Sequence, residues 1–317
     1  MVKKRIRFSP TRAQERFINR VEGIRLDPKS APVDLAFITR ELVLATLPHR
    51  QPNFVNGRPP PVWSRSNGHY TLSIQPGYTR NAQGQMECVG YPCGTIPRLL
   101  LLFLNTEVVR KKERVISLGK DLRTFMQKLG LSPGTGGGKR GDAARLKDQM
   151  NRLFRSTISF DYSDQNRASF VNLRIADAAT IFWAPHSDDQ PSLWESEVRL
   201  SEPFYEALKS SPVPIVPDAI AALKGSSLAL DLYVWTSWMS YRAQQRRKGF
   251  TVSWKVLLTQ FGSGHGSSKN FKRDAKKYLR RIELVYPELR IGYGMGYLII
   301  EPGSKPAVLA IPKEPRG

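Results

Sequence analysis

The sequence has little of what a metal-dependent enzyme or a disulfide-stabilised protein needs. Its 317 residues include two cysteines and four histidines. Cys88 and Cys93 cannot form a zinc site by themselves, and a chain of this length does not need a disulfide to hold its core. The histidines are scattered, and no two of them stand at the spacing of a metal-ligand pair. We therefore expect no metal, no cofactor and no catalytic residues.

Long apolar runs are absent as well. The longest run, from Leu99 to Leu104, is far shorter than the roughly 20 residues of a membrane-spanning helix. The N-terminal segment is basic, but it lacks the apolar stretch of a secretion signal. The sequence therefore predicts a cytoplasmic protein with no membrane partner.

Acidic residues are few compared with basic ones. The chain has 27 Asp and Glu against 49 Lys and Arg, which gives a formal net charge of +22. Such self-repulsion weakens the compact state unless a polyanion binds. Each phosphate that a lysine or arginine neutralises releases condensed counterions, so nucleic acid is the leading partner class and an anionic membrane is the rival.

Composition also suggests how the chain is divided. We expect a basic N-terminal arm over residues 1–35, an N-terminal domain over 36–190 and a C-terminal domain over 191–317. The boundary is placed at the acidic, proline-flanked stretch 184–191.

Local patterns in the N-terminal domain give three further expectations. Residues 33–47 are apolar enough for a helix, and residues 48–67 are rich in Pro and Asn, which predicts a segment that is mostly loop. Residues 69–74 alternate as a strand does, with residues 86–91 as its expected partner.

The two halves share one order of elements. A long apolar helix with a basic end is followed by a short strand, a compact helix closed by glycine, a Gly/Ser turn, a basic helix and a hairpin. In the first half these parts are residues 98–112, 115–117, 118–129 with Gly130, 132–138, 142–155, and 157–160 with 170–175. In the second half they are 228–248, 250–253, 254–261 with Gly262, 263–268, 270–284, and 289–293 with 297–300. Helix, turn, helix and a two-stranded wing is the winged-helix order. Its repetition predicts an α+β protein of two tandem winged-helix domains that form a pseudo-repeat.

The second basic helix is the stronger candidate for DNA contact. Residues 269–281 hold seven Lys or Arg and one acid, Asp274. Phe271, Ala275, Tyr278 and Ile282 share one face, with Leu279 beside it, and predict the buried side. A ladder of like charges destabilises an isolated helix, so the opposite face indicates an anionic ligand. The DNA-binding residues predicted here are Ser268, Lys269, Asn270, Lys272, Arg273, Lys276, Lys277, Arg280 and Arg281.

Different roles are expected within that set. Ser268 or Asn270 is the expected N-cap, and the first turn suits a phosphate. Asn270 and Arg273 are the candidates for reading bases, because a recognition helix enters the major groove with its N-terminal residues. The cations nearer the C-terminal end of the helix are expected to hold the DNA backbone.

The first basic helix is weaker in charge. Leu146, Met150 and Leu153 predict its core face, and Asp142 is its expected N-cap. Asp148 dilutes the charge further, so this helix either contacts phosphates or serves a protein interface. Its predicted DNA-binding residues are Lys139, Arg140, Arg145, Arg152 and Arg155.

The glycine-rich stretch before Lys139 is similar to the sequence pattern of a nucleotide-binding P-loop but does not match it. Only three residues separate Gly134 from the Gly-Lys pair, and Arg140 follows the lysine where Ser or Thr is required. The stretch is better interpreted as the flexible turn of the first helix-turn-helix.

Several short motifs, in order, resemble those of RepA initiators from broad-host-range plasmids, over roughly residues 85–295. The first-half motifs are YPCGTIPRLL at 91–100, TEVVR at 106–110, FMQKLG at 125–130 and RLKDQMNRLF at 145–154. The second-half motifs are LSEPFY at 200–205, PVP at 212–214, LALDLYVW at 228–235, QFG at 260–262 and NFKR at 270–273.

The resemblance implies a plasmid replication initiator. Such a protein binds directly repeated DNA sequences (iterons) at the origin, helps to open an adjacent AT-rich region and recruits the host initiator and helicase. In such families monomers usually initiate, while homodimers can repress their own promoter. A winged-helix transcriptional regulator that represses an operator explains the charge and the fold equally well. A nucleic-acid enzyme would need a metal cluster, or a tyrosine with paired histidines, and the sequence offers neither.

Overall fold

The computed structural model describes residues 35–53, 59–133, 141–163, 168–181, 196–210, 212–262, 267–305 and 307. Helices and strands alternate within these ranges, which confirms the mixed α+β class. The helices are Arg40–Leu44 (α1), Ile96–Lys111 (α2), Leu122–Lys128 (α3), Asp142–Arg155 (α4), Glu202–Ser210 (α5), Pro217–Leu223 (α6), Ser227–Arg246 (α7), Trp254–Phe261 (α8) and Ser268–Val285 (α9).

The strands of these ranges form small antiparallel sheets. They are Ala36–Thr39 (β1), Trp63–Asn67 (β2), Tyr70–Gln75 (β3), Tyr78–Arg80 (β4), Met86–Cys88 (β5), Val115–Gly119 (β6), Thr157–Ser163 (β7), Ala168–Arg174 (β8), Ala176–Thr180 (β9), Ser196–Leu200 (β10), Pro212–Ile215 (β11), Phe250–Ser253 (β12), Ile291–Tyr293 (β13) and Tyr297–Ile300 (β14). Their order in the sheets is β1-β11, β2-β3-β7-β8, β4-β5, β6-β10-β9 and β12-β14-β13.

Two long apolar helices, α2 and α7, lie at the centre of the core. Both are buried around most of their circumference, as expected of helices that are apolar on every side. Pro97 stands in the first turn of α2, where the missing amide hydrogen has no partner to lose. Each helix ends at a basic residue in the left-handed conformation, Lys112 with φ of 57° and Arg247 with φ of 51°.

The elements of the second half lie close to their predicted positions. Strand β12 and helix α8 have the predicted bounds, and α9 extends the prediction by a few residues. Strands β13 and β14 form the predicted hairpin, with Tyr293 opposite Leu298. Strand β12 pairs with β14, so the strand before α8 and the hairpin after α9 share one sheet. Gly262 is the C-cap of α8, as expected.

The first half has the same order of elements but different strand pairing. Helix α4 has its predicted bounds, α3 is shorter because Asp121 caps it, and Gly130 follows α3 with a φ of 68°. The predicted hairpin is β7-β8, with Thr157 opposite Arg174. That hairpin extends the sheet of β2 and β3, whereas β6 pairs with β10 in a separate sheet.

Two local predictions in the N-terminal region were wrong. Strand β3 pairs with β2 and β7, while residues 86–88 pair with β4. The segment 48–67 is mostly loop, as expected, since residues 48–53 and 59–62 have no helix or strand and only its end, Trp63–Asn67, is strand β2. The expected helix over residues 33–47 is strand β1 followed by the short α1. Strand β1 forms because β11 takes up its backbone hydrogen-bonding groups, a long-range contact that overrides local propensity.

Strand pairing connects the two halves. Strand β10 follows the predicted boundary in sequence but pairs with β6 and β9, and β11 pairs with β1. The boundary stretch 184–191, most of the arm and the greater part of both Gly/Ser turns lie outside the described residues. The division into domains stays a prediction, and the described strands show that its two parts share sheets.

Candidate nucleic-acid interface

Helix α9 separates its apolar and basic residues cleanly. Phe271, Ala275, Leu279 and Ile282 are fully buried against the rest of the second half. Tyr278, predicted for this face, is half-buried, whereas Leu279, predicted beside it, is fully buried. The opposite face is therefore left for solvent or a ligand.

The start of α9 differs by one residue from the prediction. Ser267 is the N-cap, and its hydroxyl accepts a hydrogen bond of 3.2 Å from the Asn270 amide. The expectation that Ser268 or Asn270 caps the helix was wrong, because both already have helical geometry. Ser268, Lys269 and Asn270 are all exposed in the first turn. Exposed amide groups and the positive end of the helix dipole make this turn suitable for a phosphate.

The cations of α9 fall into two groups. Lys269, Arg273, Lys277 and Arg280 are exposed, whereas Lys272, Lys276 and Arg281 are half-buried. The Arg273 side chain is 71% exposed and makes an ion pair of 2.9 Å with Asp274. An exposed pair of this kind contributes little to stability, so Arg273 can exchange it for a ligand at low cost.

The half-buried lysines lie over two aromatic rings, an arrangement that sequence reasoning missed. Trp254 of α8 and Tyr293 of β13 stack with an interplanar angle of 6° and a centroid separation of 6.3 Å. The Lys276 ammonium lies 4.8 Å from the Tyr293 ring centroid, and the Lys272 ammonium lies 5.6 Å from that of Trp254. Burial raises the pKa of Tyr293 to about 12, so its phenol stays neutral. The stack therefore joins the basic helix face to the β13-β14 hairpin.

Helix α4 presents its arginines differently. Gly141 is its N-cap, so the expectation that Asp142 caps it was wrong. Arg145 pairs with Asp142 at 3.1 Å, and Arg155 donates to the Asn151 side chain at 2.7 Å. Arg152 is the most enclosed of the three, with 22% of its side chain exposed.

Arg152 is held by its own chain. It donates to Asp148 at 2.9 Å and to the Gln51 side-chain oxygen at 2.6 Å. Gln51 also accepts from the Tyr91 amide, so this arginine fixes the loop that precedes α2. Lys139 and Arg140, predicted for the same surface, lie outside the described residues.

A buried charge cluster joins the two halves, and sequence reasoning missed it. Arg98 of α2 makes two hydrogen bonds of 2.7 Å to the Asp231 carboxylate of α7. The His49 Nε2 atom lies 2.8 Å from the same carboxylate. Arg98 also donates to the carbonyls of Leu47 and Gly94, both at 2.6 Å. Each partner of the carboxylate is thus contributed by a different segment of the chain.

The pKa values of the cluster reflect burial and mutual attraction. Burial alone would raise the pKa of Asp231, but Arg98 and His49 outweigh it and lower the pKa to about 2. Burial lowers the pKa of His49, although Asp231 opposes the change. His49 is therefore favoured as the neutral ring with Nε2 donating to the carboxylate. No local pattern could have found this cluster, because its members are far apart in sequence.

Other kinds of site were sought in the same ranges. The described residues contain no group of three or more His, Cys, Asp or Glu placed to hold a metal ion. Among the described helices, none combines the length and the apolar composition needed to cross a membrane.

Comparison with known proteins gives one family model and two similar crystal structures. Residues 91–256 match the family model for the plasmid-encoded RepA protein. No curated protein matches the chain. A crystal structure of RctB domains 2–3 is similar at 13% sequence identity and a TM-score of 0.49, over 82% of this chain and 95% of that chain. A selenomethionine derivative of the same two domains is similar at 11% identity and a TM-score of 0.45, over 81% and 94% of the two chains.

Proposed function

The chain belongs to the family of plasmid-encoded RepA proteins, and from this premise we propose that it initiates plasmid replication by binding double-stranded DNA at the origin. The proposal includes directly repeated binding sites, opening of the neighbouring duplex, and recruitment of the host initiator and helicase. The observation that carries it is helix α9, whose apolar face is buried while its basic face is exposed beside a hairpin.

We interpret each half as a winged-helix unit, in agreement with the order of its elements. In the second unit α7, α8 and α9 are the helices, and the β13-β14 hairpin is the wing. The β12-β14-β13 order supports this interpretation, because the strand between the first two helices closes one sheet with the wing. In the first unit α2, α3, α4 and the β7-β8 hairpin have the same order.

The proposed contacts follow from exposure. Asn270 and Arg273 stand in the first turns of α9, where side chains reach base edges in the major groove. The remaining cations of the helix and Ser268 bind the DNA backbone on either side of the groove. In the first unit Lys139, Arg140, Arg145, Arg152 and Arg155 supply weaker contacts to phosphates or to a second copy of the chain.

Footprinting on the DNA that flanks the gene tests the proposal and separates it from the alternative. Protection of tandem direct repeats is the result expected of an initiator. A single protected palindrome would instead favour a repressor, and absence of any protected sequence would contradict both.

The strength of binding should depend steeply on salt. Each phosphate contact makes the slope of log K against log salt concentration more negative by roughly 0.9. Lys277→Ala should reduce that slope, whereas Lys209→Ala is a matched control, since Lys209 is exposed but pairs with Glu206 at 3.0 Å on another helix. A wild-type slope near zero would contradict the phosphate contacts.

A further inference from the structure

The tip of the β13-β14 hairpin carries an isolated apolar side chain. Met295 has a relative exposure of 103%, the highest among the exposed large hydrophobic residues of the described ranges. Gly294 and Gly296 flank it, so no neighbouring side chain covers it. Tyr293 and Tyr297, on the two strands below the tip, are 39% and 50% exposed. The turn therefore projects one flexible thioether beyond a pair of aromatic rings.

The turn is held firmly despite its two glycines. The Gly294 amide donates to the Tyr297 carbonyl at 3.1 Å, which closes the hairpin. The Trp254 amide donates to the Gly296 carbonyl at 3.1 Å, which fixes the far side of the turn to the start of α8. Met295 is thus presented by a braced turn.

The hairpin also lies against the basic face of α9. Tyr293 stacks on Trp254 and lies under the Lys276 ammonium. A duplex bound to the exposed cations of α9 would bring its backbone next to the hairpin. The positive charge of α9 beside the hairpin favours DNA over a second apolar protein surface as the occupant.

The chemistry of the tip indicates which part of the duplex it meets. The segment Gly294–Gly296 has no charged or hydrogen-bonding side chain, so its side chains can neither pair with phosphate nor read a base edge. A helix fills the major groove where it binds, which leaves the neighbouring minor groove to the hairpin. Proteins that insert an apolar side chain between base pairs do so from the minor groove, and methionine is among the residues they use.

We propose that Met295 acts as a wedge that enters the minor groove beside the site of α9, partly unstacks one base step and bends the DNA. The inference rests on the proposed function, because it requires a duplex on α9. The wedge adds a sequence preference that does not depend on hydrogen bonds to bases. Pyrimidine–purine steps are the easiest to kink, so the protein should favour sites that have such a step under the hairpin.

Two variants at the tip and one control elsewhere test the wedge on the duplex defined by footprinting. Met295→Gln keeps the length of the side chain but makes it polar, and Met295→Leu keeps it apolar. Met86→Gln is the matched control, because Met86 is 64% exposed on strand β5 of the other half. Bend angle is measured by circular permutation, and unstacked thymines are detected by permanganate reactivity.

The expected result is specific to the tip. Met295→Gln should protect the same sequence with a Kd raised about three- to tenfold, a bend reduced by at least about 20°, and lower permanganate reactivity. Met295→Leu and Met86→Gln should keep the wild-type bend.

Two results would overturn the wedge. The first is an unchanged bend and reactivity in Met295→Gln, with binding retained, which would leave the proposed function intact. The second is a Met295→Gln variant that changes only the self-association of the free protein, which would assign the tip to a contact between copies. Failure of the wild-type protein to protect any duplex would remove the proposed function itself.

Discussion

Helices α4 and α9 have the same place in the order of elements of the two halves, yet they use their cations differently. The arginines of α4 donate to neighbouring side chains, to Gln51 and to a backbone carbonyl of the first half. On α9, Arg273 makes an exposed ion pair with its neighbour Asp274, and two lysines lie over the rings that support the hairpin. A basic helix is thus a structural brace in one setting and a candidate ligand surface in the other.

Strand pairing also differs between the two halves. In the second half, β12 joins the β13-β14 hairpin, so helix and hairpin form one surface. In the first half, β2 and β3 occupy one side of the hairpin and β10 takes the place beside β6. The arginines of α4 find their partners on α4 itself, on Gln51 and on the backbone carbonyls of Tyr91 and Tyr78.

The largest effect is expected where the halves are joined. Asp231→Ala leaves the buried Arg98 charge without its carboxylate, so the free energy of unfolding should fall by about 3–5 kcal/mol. Urea denaturation measures this loss. Asp177→Ala is the control, because Asp177 pairs with Arg114 at 2.9 Å in an exposed position, and it should cost about 1 kcal/mol or less. Equal losses in the two variants would contradict the role of the cluster.

The comparison of α4 with α9 is sharpened by matched arginine variants. Arg273→Ala should weaken binding to the cognate duplex by about 1–3 kcal/mol and reduce discrimination against a scrambled duplex. Arg145→Ala should change discrimination much less, because Arg145 is expected to contact a phosphate, which is the same in every sequence. Competition between the cognate and the scrambled duplex at fixed salt concentration measures this discrimination. If Arg145→Ala lost as much discrimination as Arg273→Ala, the unequal roles of the two helices would be wrong.

Arg152 offers a complementary test of the structural role of α4. Arg152→Ala removes its hydrogen bonds to Gln51 and Asp148, so the protein should lose about 1–2 kcal/mol of stability. Denaturation and DNA binding should be measured on the same preparation. An unchanged stability with weakened binding would mean that Arg152 serves DNA instead of the loop before α2.

The smallest effect concerns pH. Because the pKa of His49 in the folded state is lowered, the unfolded chain binds more protons as the pH falls below about 6.5. The free energy of unfolding should therefore decrease between pH 7 and 5. Asp231, with a pKa of about 2, does not titrate in this window.

His49→Gln should flatten that dependence, while His69→Gln, which changes an exposed histidine, should leave it as in the wild type. Thermal unfolding across this pH range compares the three proteins. A wild-type slope retained in His49→Gln would assign the titration to other groups.

Sequence reasoning worked where the signal was local. The bounds of α4, α8 and β12 follow from periodicity and from the residues at their ends. It failed for β1, where an apolar segment compatible with a helix is drawn into a strand by β11. It also chose the wrong partner for β3, since the strands that pair with it are decided by the whole fold.

In the candidate site too, some features could be predicted from the sequence and others could not. The charge density of residues 269–281 and the apolar spacing of α9 could be recognised from the sequence. The stacking of Trp254 on Tyr293, the bracing of the hairpin tip and the exposure of Met295 could not. Each of these depends on elements that are far apart in the chain.

By itself the sequence determined the basic charge, the class of partner it favours and the repeated order of helices and hairpins. Only the tertiary structure decided which cations are exposed, which strands pair and which buried charges join the halves. The physical reason is range: caps and periodicity act within a few residues, whereas burial and strand pairing depend on segments that meet only in the folded chain.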